Sequence, residues 1–306
     1  MTLLLTASDV AALLSLDDCI AAVEEGFRSY GSAGILSAHA DRGAFHIKTA
    51  MVGTRFGAKA NANFPSSVPR IQGVMLLFDA NDGRVLALLD SIELTILRTG
   101  AASAVAAKFL ARRDAKTAMV YGCGKQGRVQ LEAITRVLTI ERAYAHDVDA
   151  ARAETYAKEM STKLEIEVIA DAHDADVIIT CTPANVAFLT DAQPGTFIAA
   201  VGADNSSKSE IAPSLMRSSR VVCDLIEQCA EIGDLRTALE ANAMTRDDVH
   251  AELADIIAGR KRGRESDDEV FLYDSTGVGF QDTAAASIVY DRAVERKRGL
   301  EVDLAR

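Results

Sequence analysis

The chain has 306 residues, enough to bury a sizeable core, and we expect two domains. Hydrophobic residues at 49% and charged residues at 25% are typical of a soluble globular enzyme and argue against a disordered or fibrous chain. A formal net charge of -11, with no basic stripe, argues against a nucleic-acid partner. The five cysteines are scattered, and no apolar run reaches membrane-spanning length. We therefore expect reduced thiols, no metal site, no membrane partner and a cytoplasmic location.

The first part of the chain predicts helices followed by strands. Residues 6–31 read as two helices, the first capped by Thr6 or Ser8 and the second by Ser15. Between Arg42 and Asp90 the pattern changes to four strands, with a hairpin turn near Gly83. Antiparallel strands ahead of any nucleotide-binding unit predict a separate domain.

Residues 95–112 predict a long Ala-rich helix, apolar on almost every side and therefore buried. Its first turn carries Arg98. Because a buried charge is costly unless it is paired, we expect Arg98 to meet Glu93 or Asp90, or else a substrate carboxylate.

The stretch from residue 116 to 147 organises the rest of the chain. An apolar strand at 118–121 leads into Gly122, Gly124 and Gly127 in a G-x-G-x-x-G pattern, followed by an amphipathic helix and a second strand that ends at Asp147. Gly122 permits a tight turn, Gly124 allows a pyrophosphate to approach, and the helix N-terminus offers free N–H groups to its charge. A carboxylate at Asp147 suits the ribose hydroxyls and repels a 2′-phosphate, which favours NAD over NADP. An ordinary glycine-rich turn, with Asp147 as a helix cap, is the alternative.

After Asp147 the chain continues as an α/β alternation. We expect helices at 149–162 and 281–297, helical stretches within 227–258, and strands at 166–170, 175–181, 196–202, 220–225 and 270–274. Ligands of such a sheet bind at the carboxyl ends of its strands. Asp204 follows one of these ends, so it is a candidate proton carrier or, equally, a helix cap. Lys208 is either an anion partner or simply exposed.

Cationic side chains interrupt the early strands, namely His46, Lys48, Lys59 and Arg70. Taken singly, each is more often structural, and Lys59 has the usual alternative of an edge-strand lysine. Together with Arg98 they favour a small anionic substrate. No G-x-S-x-G, H-E-x-x-H or P-loop motif supports a hydrolase, a zinc protease or an NTPase.

Five stretches resemble the ornithine cyclodeaminase/mu-crystallin family over nearly the full length. They are GAKANANFP, LLDSIELTILRTGAASAVAAKFLAR, GCGKQG, AAVGADNSSKSE and FLYDSTGVGFQD. The resemblance implies NAD(P)-dependent chemistry at the α-carbon of amino or imino acids. It implies an α/β fold, with a Rossmann-type doubly wound domain over residues 113–280. An N-terminal α/β substrate-binding and dimerisation domain covers 1–112 and is completed by 281–306, so that a homodimer is expected.

The resemblance also implies roles for individual residues. Lys59 and Arg98 match the pair that holds the substrate carboxylate, and Asp204 matches the catalytic acid or base, with Lys59 beside it in the catalytic group. The cofactor contacts implied, beyond the three glycines, are Lys125, Gln126, Asp147, Thr182, Ala199, Ala200, Val201, Lys208 and Ser275.

Three positions depart from the pattern of the ornithine-using members. His46 stands where those members have a glutamate for the distal amino group, Ile35 replaces a substrate arginine with Arg42 out of register, and Arg70 replaces a threonine near the nicotinamide. A distal ammonium is disfavoured by these charges. A second carboxylate or a compact cyclic imine fits better.

The sequence thus predicts an NAD(H)-dependent imine reductase or amino-acid dehydrogenase, with NADP(H) less favoured. The first alternative is a cyclodeaminase that converts L-ornithine to L-proline and ammonia and recycles NAD within each turnover. The second is a non-catalytic protein that binds NAD(P)H, against which the presence of both Asp204 and Lys59 argues.

Overall fold

A computed structural model describes residues 1–162, 164–170, 174–203 and 205–304. The chain divides into two compact units. The first comprises Met1–Ala101 and Val278–Arg306, and the second comprises Ala102–Gly277. None of the described helices is both long enough and apolar enough to cross a membrane.

The elements follow one another in an α/β order. The first stretch contains β1 (Thr2–Leu5), α1 (Ala7–Leu13), α2 (Leu16–Ser29), β2 (Tyr30–Ala40), β3 (Gly43–Val52), β4 (Arg55–Asn63), β5 (Ile71–Asp79), β6 (Val85–Asp90) and α3 (Ile92–Leu110). The middle stretch contains β7 (Thr117–Tyr121), α4 (Lys125–Val137), β8 (Arg142–His146), α5 (Ala150–Met160), β9 (Glu165–Val168), β10 (Val177–Thr180), β11 (Phe197–Ala200), α6 (Pro213–Ser218), β12 (Arg220–Cys223), α7 (Ile226–Ile232), α8 (Asp234–Glu240), a 3₁₀ turn (Arg246–Asp248), β13 (Ala251–Glu252), α9 (Leu253–Ile257) and β14 (Phe271–Asp274). The last stretch contains α10 (Gly279–Glu295) and β15 (Leu300–Val302).

The first unit is built on a seven-stranded sheet with the order β15-β1-β6-β5-β4-β3-β2. Strands β2 to β6 form an antiparallel meander, β1 pairs parallel with β6, and β15 pairs antiparallel with β1. The four strands predicted from the sequence are β3 to β6. Strands β1, β2 and β15 were not predicted, and in β2 the small residues of YGSAGILSAHA conceal the alternation of a half-buried strand.

The N-terminal helices begin where the sequence indicates. Thr6 caps α1, with its side chain accepting from the N–H of Asp9, and Ser15 caps α2 by accepting from the N–H of Asp18. The second helix ends at Ser29 rather than at Gly31, because the chain enters β2 directly.

Helix α10 packs on β3 and β4 of this sheet. Two glycines make the close approach possible. A Cβ on Gly57 of β4 would lie 2.1 Å from Oγ1 of Thr283, and a Cβ on Gly279 would lie 2.5 Å from the carbonyl oxygen of Thr49 in β3. The first turn of α10 is therefore held against the sheet at a fixed distance.

The second unit is a parallel sheet of eight strands in the order β13-β12-β14-β11-β10-β7-β8-β9. The chain runs outward from β7 in one direction through β8 and β9, and then returns to the other side of β7 as β10. This reversal is the switch point of a doubly wound Rossmann-type sheet, so the predicted fold class is confirmed. Strands β7, β10, β11 and β14 are almost entirely buried, as expected of a parallel sheet covered on both faces.

Candidate active site

Three glycines shape the turn between β7 and α4, each for a different reason. Gly122 has φ +101°, and a Cβ there would lie 2.7 Å from the carbonyl oxygen of Cys181. A Cβ on Gly127 would lie 2.2 Å from the carbonyl oxygen of Gly122, so this glycine lets α4 approach the turn. Gly124 is the N-cap of α4, makes no side-chain cap, and has open space where its Cβ would stand. The turn therefore leaves the N-terminus of a 13-residue helix accessible to an anion.

Asp147 lies at the end of β8, next to this turn. Its Oδ2 accepts from the N–H of Cys123 at 2.9 Å, and its Oδ1 accepts from the N–H of Asp149 at 3.0 Å and from Nη1 of Arg152 at 3.3 Å. The carboxylate thus ties the glycine turn to the second strand of the unit. Its predicted contact with a ribose stays a prediction, as do the contacts of Lys125 and Gln126 in the first turn of α4.

The other predicted cofactor residues lie at neighbouring strand ends. Ala199 and Ala200 are the last residues of β11, the N–H of Val201 donates to the carbonyl of Thr180, and the N–H of Ser275 donates to the carbonyl of Ala200. Nζ of Lys208 donates to the carbonyl oxygen of Gly202 at 3.0 Å. The structure therefore collects these residues at the carboxyl ends of β10, β11 and β14, where a doubly wound sheet binds its ligands.

Glu210 is a residue of this edge that the sequence did not reveal. Its fully buried carboxylate accepts from the hydroxyl of Thr180 at 2.7 Å, from the N–H and hydroxyl of Thr182 at 2.6 and 2.7 Å, and from the N–H of Gly202 at 2.8 Å. A Cβ on Gly202 would lie 2.2 Å from this carboxyl group, so only glycine fits there. Burial, with the nearby Asp234, raises the pKa of Glu210 to about 7. One side chain thus fixes two of the loops that follow the strands.

Behind Glu210 lie further buried acids that bind backbone N–H groups. Asp234 accepts from the N–H groups of Glu210 and Ile211, and Asp274 accepts from that of Leu235 at 2.8 Å. The thiols of Cys223 and Cys229 approach Asp274 within 4.8 Å. Burial raises the pKa of Cys229 well above its usual value, and its thiol donates to Asp224. These buried acids and thiols therefore form a hydrogen-bonded part of the core.

In the first unit, Lys48 and Lys59 lie opposite each other on β3 and β4. Since side chains alternate along a strand, His46 and Asn61 share their face of the sheet. Lys48 is 8% exposed and Lys59 is 3% exposed. Ile35 of β2, at which the family resemblance predicts the loss of a substrate arginine, pairs with Lys48. The structure therefore brings Lys48 and Lys59 together, and their role in substrate binding stays a prediction.

Asp282, in the first turn of α10, connects Lys59 to Arg98. Its Oδ1 accepts from Nζ of Lys59 at 2.8 Å and from Nε of Arg98 at 2.9 Å, and Oε1 of Gln281 accepts from Nη1 of Arg98 at 2.9 Å. Asp282 is fully buried and Arg98 is 4% exposed. The contact joins residues 184 positions apart in the sequence.

The prediction that Glu93 or Asp90 is the internal partner of Arg98 was wrong. Asp90 instead accepts from the N–H groups of Ile92 and Glu93 at 3.0 and 3.1 Å, at the start of α3. Sequence proximity suggested those two acids, whereas the tertiary packing of α10 supplies Asp282. The signal available in the sequence was an acid in the first turn of a helix that continues as an apolar run.

Lys59 has an unusual environment for an ammonium group. Burial, reinforced by the positive charges of Arg98 and Lys48, lowers the pKa of Lys59 to about 7, although Asp282 acts in the opposite direction. Burial acts to raise the pKa of Asp282, but the positive charges of Arg98, Lys59 and Lys48 outweigh it and hold this pKa below its usual value. Lys59 is therefore poised to change charge near neutral pH, as catalytic and ligand-binding lysines often do.

Two other predicted substrate residues lie further from Lys59. Arg70 is exposed, and its Nε donates to Asn63 at 3.1 Å. It precedes Ile71, which pairs with Asn63, four positions from Lys59 on β4, or about 13 Å at a strand rise of about 3.3 Å. His46 is half-buried, with Nδ1 2.9 Å from the hydroxyl of Ser37. Asp204, the predicted acid or base, lies outside the described residues.

The comparison with known proteins agrees with these features. The model of the ornithine cyclodeaminase/mu-crystallin family matches residues 1–297. An alanine dehydrogenase of Archaeoglobus fulgidus is 34% identical over 319 aligned positions, covering 100% of this chain and 99% of the relative.

Two solved structures are similar over the whole chain. An archaeal alanine dehydrogenase dimer with bound NAD has a TM-score of 0.95 at 32% identity, with 99% of both chains covered. The Δ1-pyrroline-2-carboxylate reductase of Thermococcus litoralis, in complex with NADH and L-proline, has a TM-score of 0.93 at 30% identity, with 98% of this chain and 100% of that one covered. This chain belongs to the ornithine cyclodeaminase/mu-crystallin family.

Proposed function

We propose that this protein is an NAD(H)-dependent oxidoreductase that transfers hydride at the α-carbon of a small L-amino acid or of its imine. One observation carries the proposal: Lys59 and Arg98, both almost fully buried, share a single carboxylate oxygen in the first unit. Two buried cations share one carboxylate, so the group has a net positive charge that suits a small anionic substrate. The second unit carries the glycine turn and strand-end acid of a dinucleotide site.

The residues of the second unit fit NAD(H). Open space beside Gly124 admits a pyrophosphate to the N-terminus of α4, and Asp147 stands at the strand end from which a carboxylate binds ribose hydroxyls. NAD(H), when bound, supplies or accepts the hydride. Both the archaeal alanine dehydrogenase and the pyrroline-carboxylate reductase are described with this cofactor.

On the substrate side, Arg98 and Lys59 would hold the carboxylate and so fix the orientation of the C=N or C–N bond. Arg98 uses Nε and Nη1 for Asp282 and Gln281, and its Nη2 amino group lies outside these two contacts. Lys59 must be protonated to contribute its charge. Asp204 is proposed, from the family resemblance, as the group that donates or accepts the proton.

The face shared by His46, Lys48 and Lys59 bears on which substrate is preferred. A cationic distal group would meet Lys48, which stands opposite Lys59 on the adjacent strand. We therefore favour a cyclic imino acid or an imine with a second carboxylate over a diamino acid. L-Ornithine is the diamino acid that the cyclodeaminase alternative requires.

The test is a substrate panel followed at the NADH absorbance, with ammonia assayed in parallel. Pyrroline-2-carboxylate, piperideine-2-carboxylate, iminosuccinate, and pyruvate with ammonia are offered with NADH, while L-alanine, L-proline and L-ornithine are offered with NAD. NADH consumption with at least one imine supports the proposal. Proline and ammonia formed from ornithine, with no net change in NADH, would establish the cyclodeaminase instead. NADH binding without turnover of any substrate would favour the non-catalytic alternative.

We further propose that the protein is a homodimer formed through the first unit. Leu36, Ile47 and Val74 lie in one cross-strand row on the sheet face opposite Lys48 and Lys59, and Phe45 lies on the same face. These four apolar side chains are between 38% and 65% exposed. Such a contiguous apolar face marks an interaction surface. Light scattering of the wild type and of Ile47→Glu tests the proposal. We expect the wild type to be a dimer and the variant to be a monomer. A wild type that is monomeric at micromolar concentration would contradict the proposal.

A further inference from the structure

The position of Asp282 is fixed by the close packing of helix α10 on the sheet. It lies in the first turn of α10, where a carboxylate is favoured by the positive end of the helix dipole. The close contacts of Gly279 with Thr49 and of Gly57 with Thr283 fix this turn on β3 and β4. The position of Asp282 relative to Lys59 is therefore set by the helix backbone packed on Thr49 and by the short Thr283 side chain packed on Gly57, rather than by long flexible side chains.

These contacts also fix the orientation of the Arg98 guanidinium group. Oδ1 of Asp282 binds both Nζ of Lys59 and Nε of Arg98, while Gln281, the preceding residue, binds Nη1. Two adjacent residues of one helix therefore engage two donors of a single guanidinium group, which fixes both its plane and its rotation. The hydroxyl of Thr95 accepts a further bond from Lys59 at 3.3 Å.

The charges of the group do not cancel. One carboxylate balances only one of the two cations that share it. Oδ2 of Asp282 and Nε2 of Gln281 are buried and have no hydrogen-bond partner among the described residues. A group designed only to neutralise a buried pair would use both carboxylate oxygens, because unpaired buried acceptors are costly.

We propose that Asp282 and Gln281 are positioning residues, which orient Arg98 and hold Lys59 in its charged form so that the pair binds the substrate carboxylate. This inference rests on the proposed function, in which Lys59 and Arg98 hold that carboxylate. Asp282 acts on both cations, through geometry and through charge. Gln281 acts on Arg98 through geometry alone.

The two residues therefore have separable effects. Asp282→Asn keeps the shape of the side chain and removes its charge, while Gln281→Met keeps the length and removes the amide. Asp282→Asn is expected to raise KM for the imine substrate about 10- to 100-fold, the loss expected for a hydrogen bond to a charged group. It is also expected to move the high-pH limb of the KM profile to lower pH by about one unit or more, since Lys59 loses its neighbouring negative charge. Among the described residues, the other charged or titratable groups near this pair are Lys48 on β3, Arg98 on α3, Cys19 on α2 and the more distant His46. Gln281→Met is expected to raise KM without moving that limb.

The matched control is Asp291→Asn. Asp291 also lies on α10 and pairs with Arg55 at 2.8 Å, but its side chain is 62% exposed. This variant should leave KM and the pH profile unchanged. The affinity for NADH, measured by fluorescence, should be the same in all variants, because they alter only the first unit.

Binding of pyrrole-2-carboxylate, a planar carboxylate that cannot be reduced, gives a readout independent of turnover. Calorimetry should show weaker binding to Asp282→Asn and Gln281→Met than to the wild type and Asp291→Asn. In Asp282→Ala, added formate should restore part of the activity by replacing the missing carboxylate, whereas in the wild type formate should only compete with substrate.

The outcomes separate the two claims. A wild type inactive on every substrate of the panel contradicts the proposed function. If that wild type still binds pyrrole-2-carboxylate and Asp282→Asn weakens the binding, the positioning role survives. An active wild type, together with variants that lose only thermal stability while keeping KM, carboxylate affinity and pH profile, overturns the positioning role. If Asp282→Asn does not fold, the KM and the carboxylate affinity of Gln281→Met test the positioning role instead.

Discussion

Lys48 and Lys59 are cross-strand neighbours on β3 and β4, and both are almost excluded from solvent. Like charges directly opposite in a sheet are destabilising, and burial increases the cost. Asp282, which binds Lys59 at 2.8 Å, offsets part of this cost, and a bound substrate carboxylate would offset more of it. The charge state of Lys59 therefore controls how strongly this pair of lysines attracts a carboxylate.

We predict that carboxylate binding weakens above neutral pH and that Lys59→Arg removes this dependence. Burial together with Arg98 and Lys48 lowers the pKa of Lys59 to about 7, and only the ammonium form attracts a carboxylate. KM should therefore rise with a slope that approaches tenfold per pH unit above about pH 7. Arginine stays protonated, so its profile should be flat up to about pH 9. KM and kcat measured separately across this range test the prediction, and an unchanged slope in Lys59→Arg would contradict it.

The same shift has a consequence for stability. Between about pH 7 and 10.5 the unfolded chain keeps a proton on Lys59 that the folded chain has lost. The contribution of this group to the free energy of unfolding therefore rises with pH across that interval.

Arg98→Lys should fold but bind substrate poorly. Lysine retains the positive charge but cannot donate to Asp282 and Gln281 and also hold the substrate carboxylate with a planar fork. We expect KM to rise about 10- to 100-fold. Arg55→Lys, which alters the exposed pair with Asp291 on α10, serves as the control. Wild-type KM in Arg98→Lys would exclude a role for the guanidinium in substrate binding.

The glycines of the β7–α4 turn should separate binding from folding. Gly127→Ala places a Cβ 2.2 Å from the carbonyl of Gly122 and should lower the free energy of unfolding by about 1 to 3 kcal/mol, as overpacking does. Gly124→Ala meets open space and should keep the stability of the wild type. Its methyl group stands where a phosphate would approach, so NADH affinity should fall about tenfold, the loss of about one charge-assisted hydrogen bond. Thermal denaturation and NADH titration measure the two effects. Full NADH affinity in Gly124→Ala would place the pyrophosphate elsewhere.

The sequence predicted those features that depend on local pattern. The glycine turn, the alternation of strands and helices around it, and the caps at Thr6 and Ser15 all follow from short-range rules. The parallel order of the second sheet follows from the same alternation. Local pattern could not predict Glu210 or Asp282, because each acts on groups brought together by the folded chain. Glu210 binds Thr180 across 30 positions, and Asp282 binds Arg98 across 184. For Asp282 the available sign was an acid at the start of an otherwise apolar helix, since acids are rarely fully buried unless paired. Glu210 follows the polar residues 205–209 and carries no such sign.

Asp147→Ser should shift the cofactor preference toward NADPH. The carboxylate of Asp147 would repel a 2′-phosphate. Its removal frees Nη1 of Arg152, which lies 3.3 Å from Oδ1 of Asp147, while Nη2 of Arg152 stays paired with Asp149 at 3.4 Å. The ratio of kcat/KM for NADH to that for NADPH should fall about tenfold or more, which corresponds to about 1.4 kcal/mol. Adding Arg152→Ala to Asp147→Ser should abolish the gain with NADPH while leaving the loss with NADH. An unchanged ratio in Asp147→Ser would show that the ribose does not contact this carboxylate.

Glu210→Gln should loosen the loops that follow β10 and β11. The carboxylate accepts from two backbone N–H groups, those of Thr182 and Gly202, one on each oxygen. An amide has only one accepting oxygen, so one of these N–H groups loses its partner at a cost of about 1 to 3 kcal/mol. We expect amide exchange at Thr182 or Gly202 to become about tenfold faster or more, while Glu240→Gln, which alters an exposed pair with Arg236, leaves it unchanged.

The pH dependence gives a second test of the same residue. Burial raises the pKa of Glu210 from 4.5 to about 7, so the folded chain binds more protons than the unfolded chain between these values. This group therefore makes the free energy of unfolding fall as pH rises from 4.5 to about 7. Glutamine does not titrate, and the stability advantage of the wild type over Glu210→Gln should shrink over that interval in chemical denaturation. A constant difference between the two proteins would show that folding does not raise the pKa of Glu210 and that the hydrogen bonds to its carboxylate offset the effect of burial.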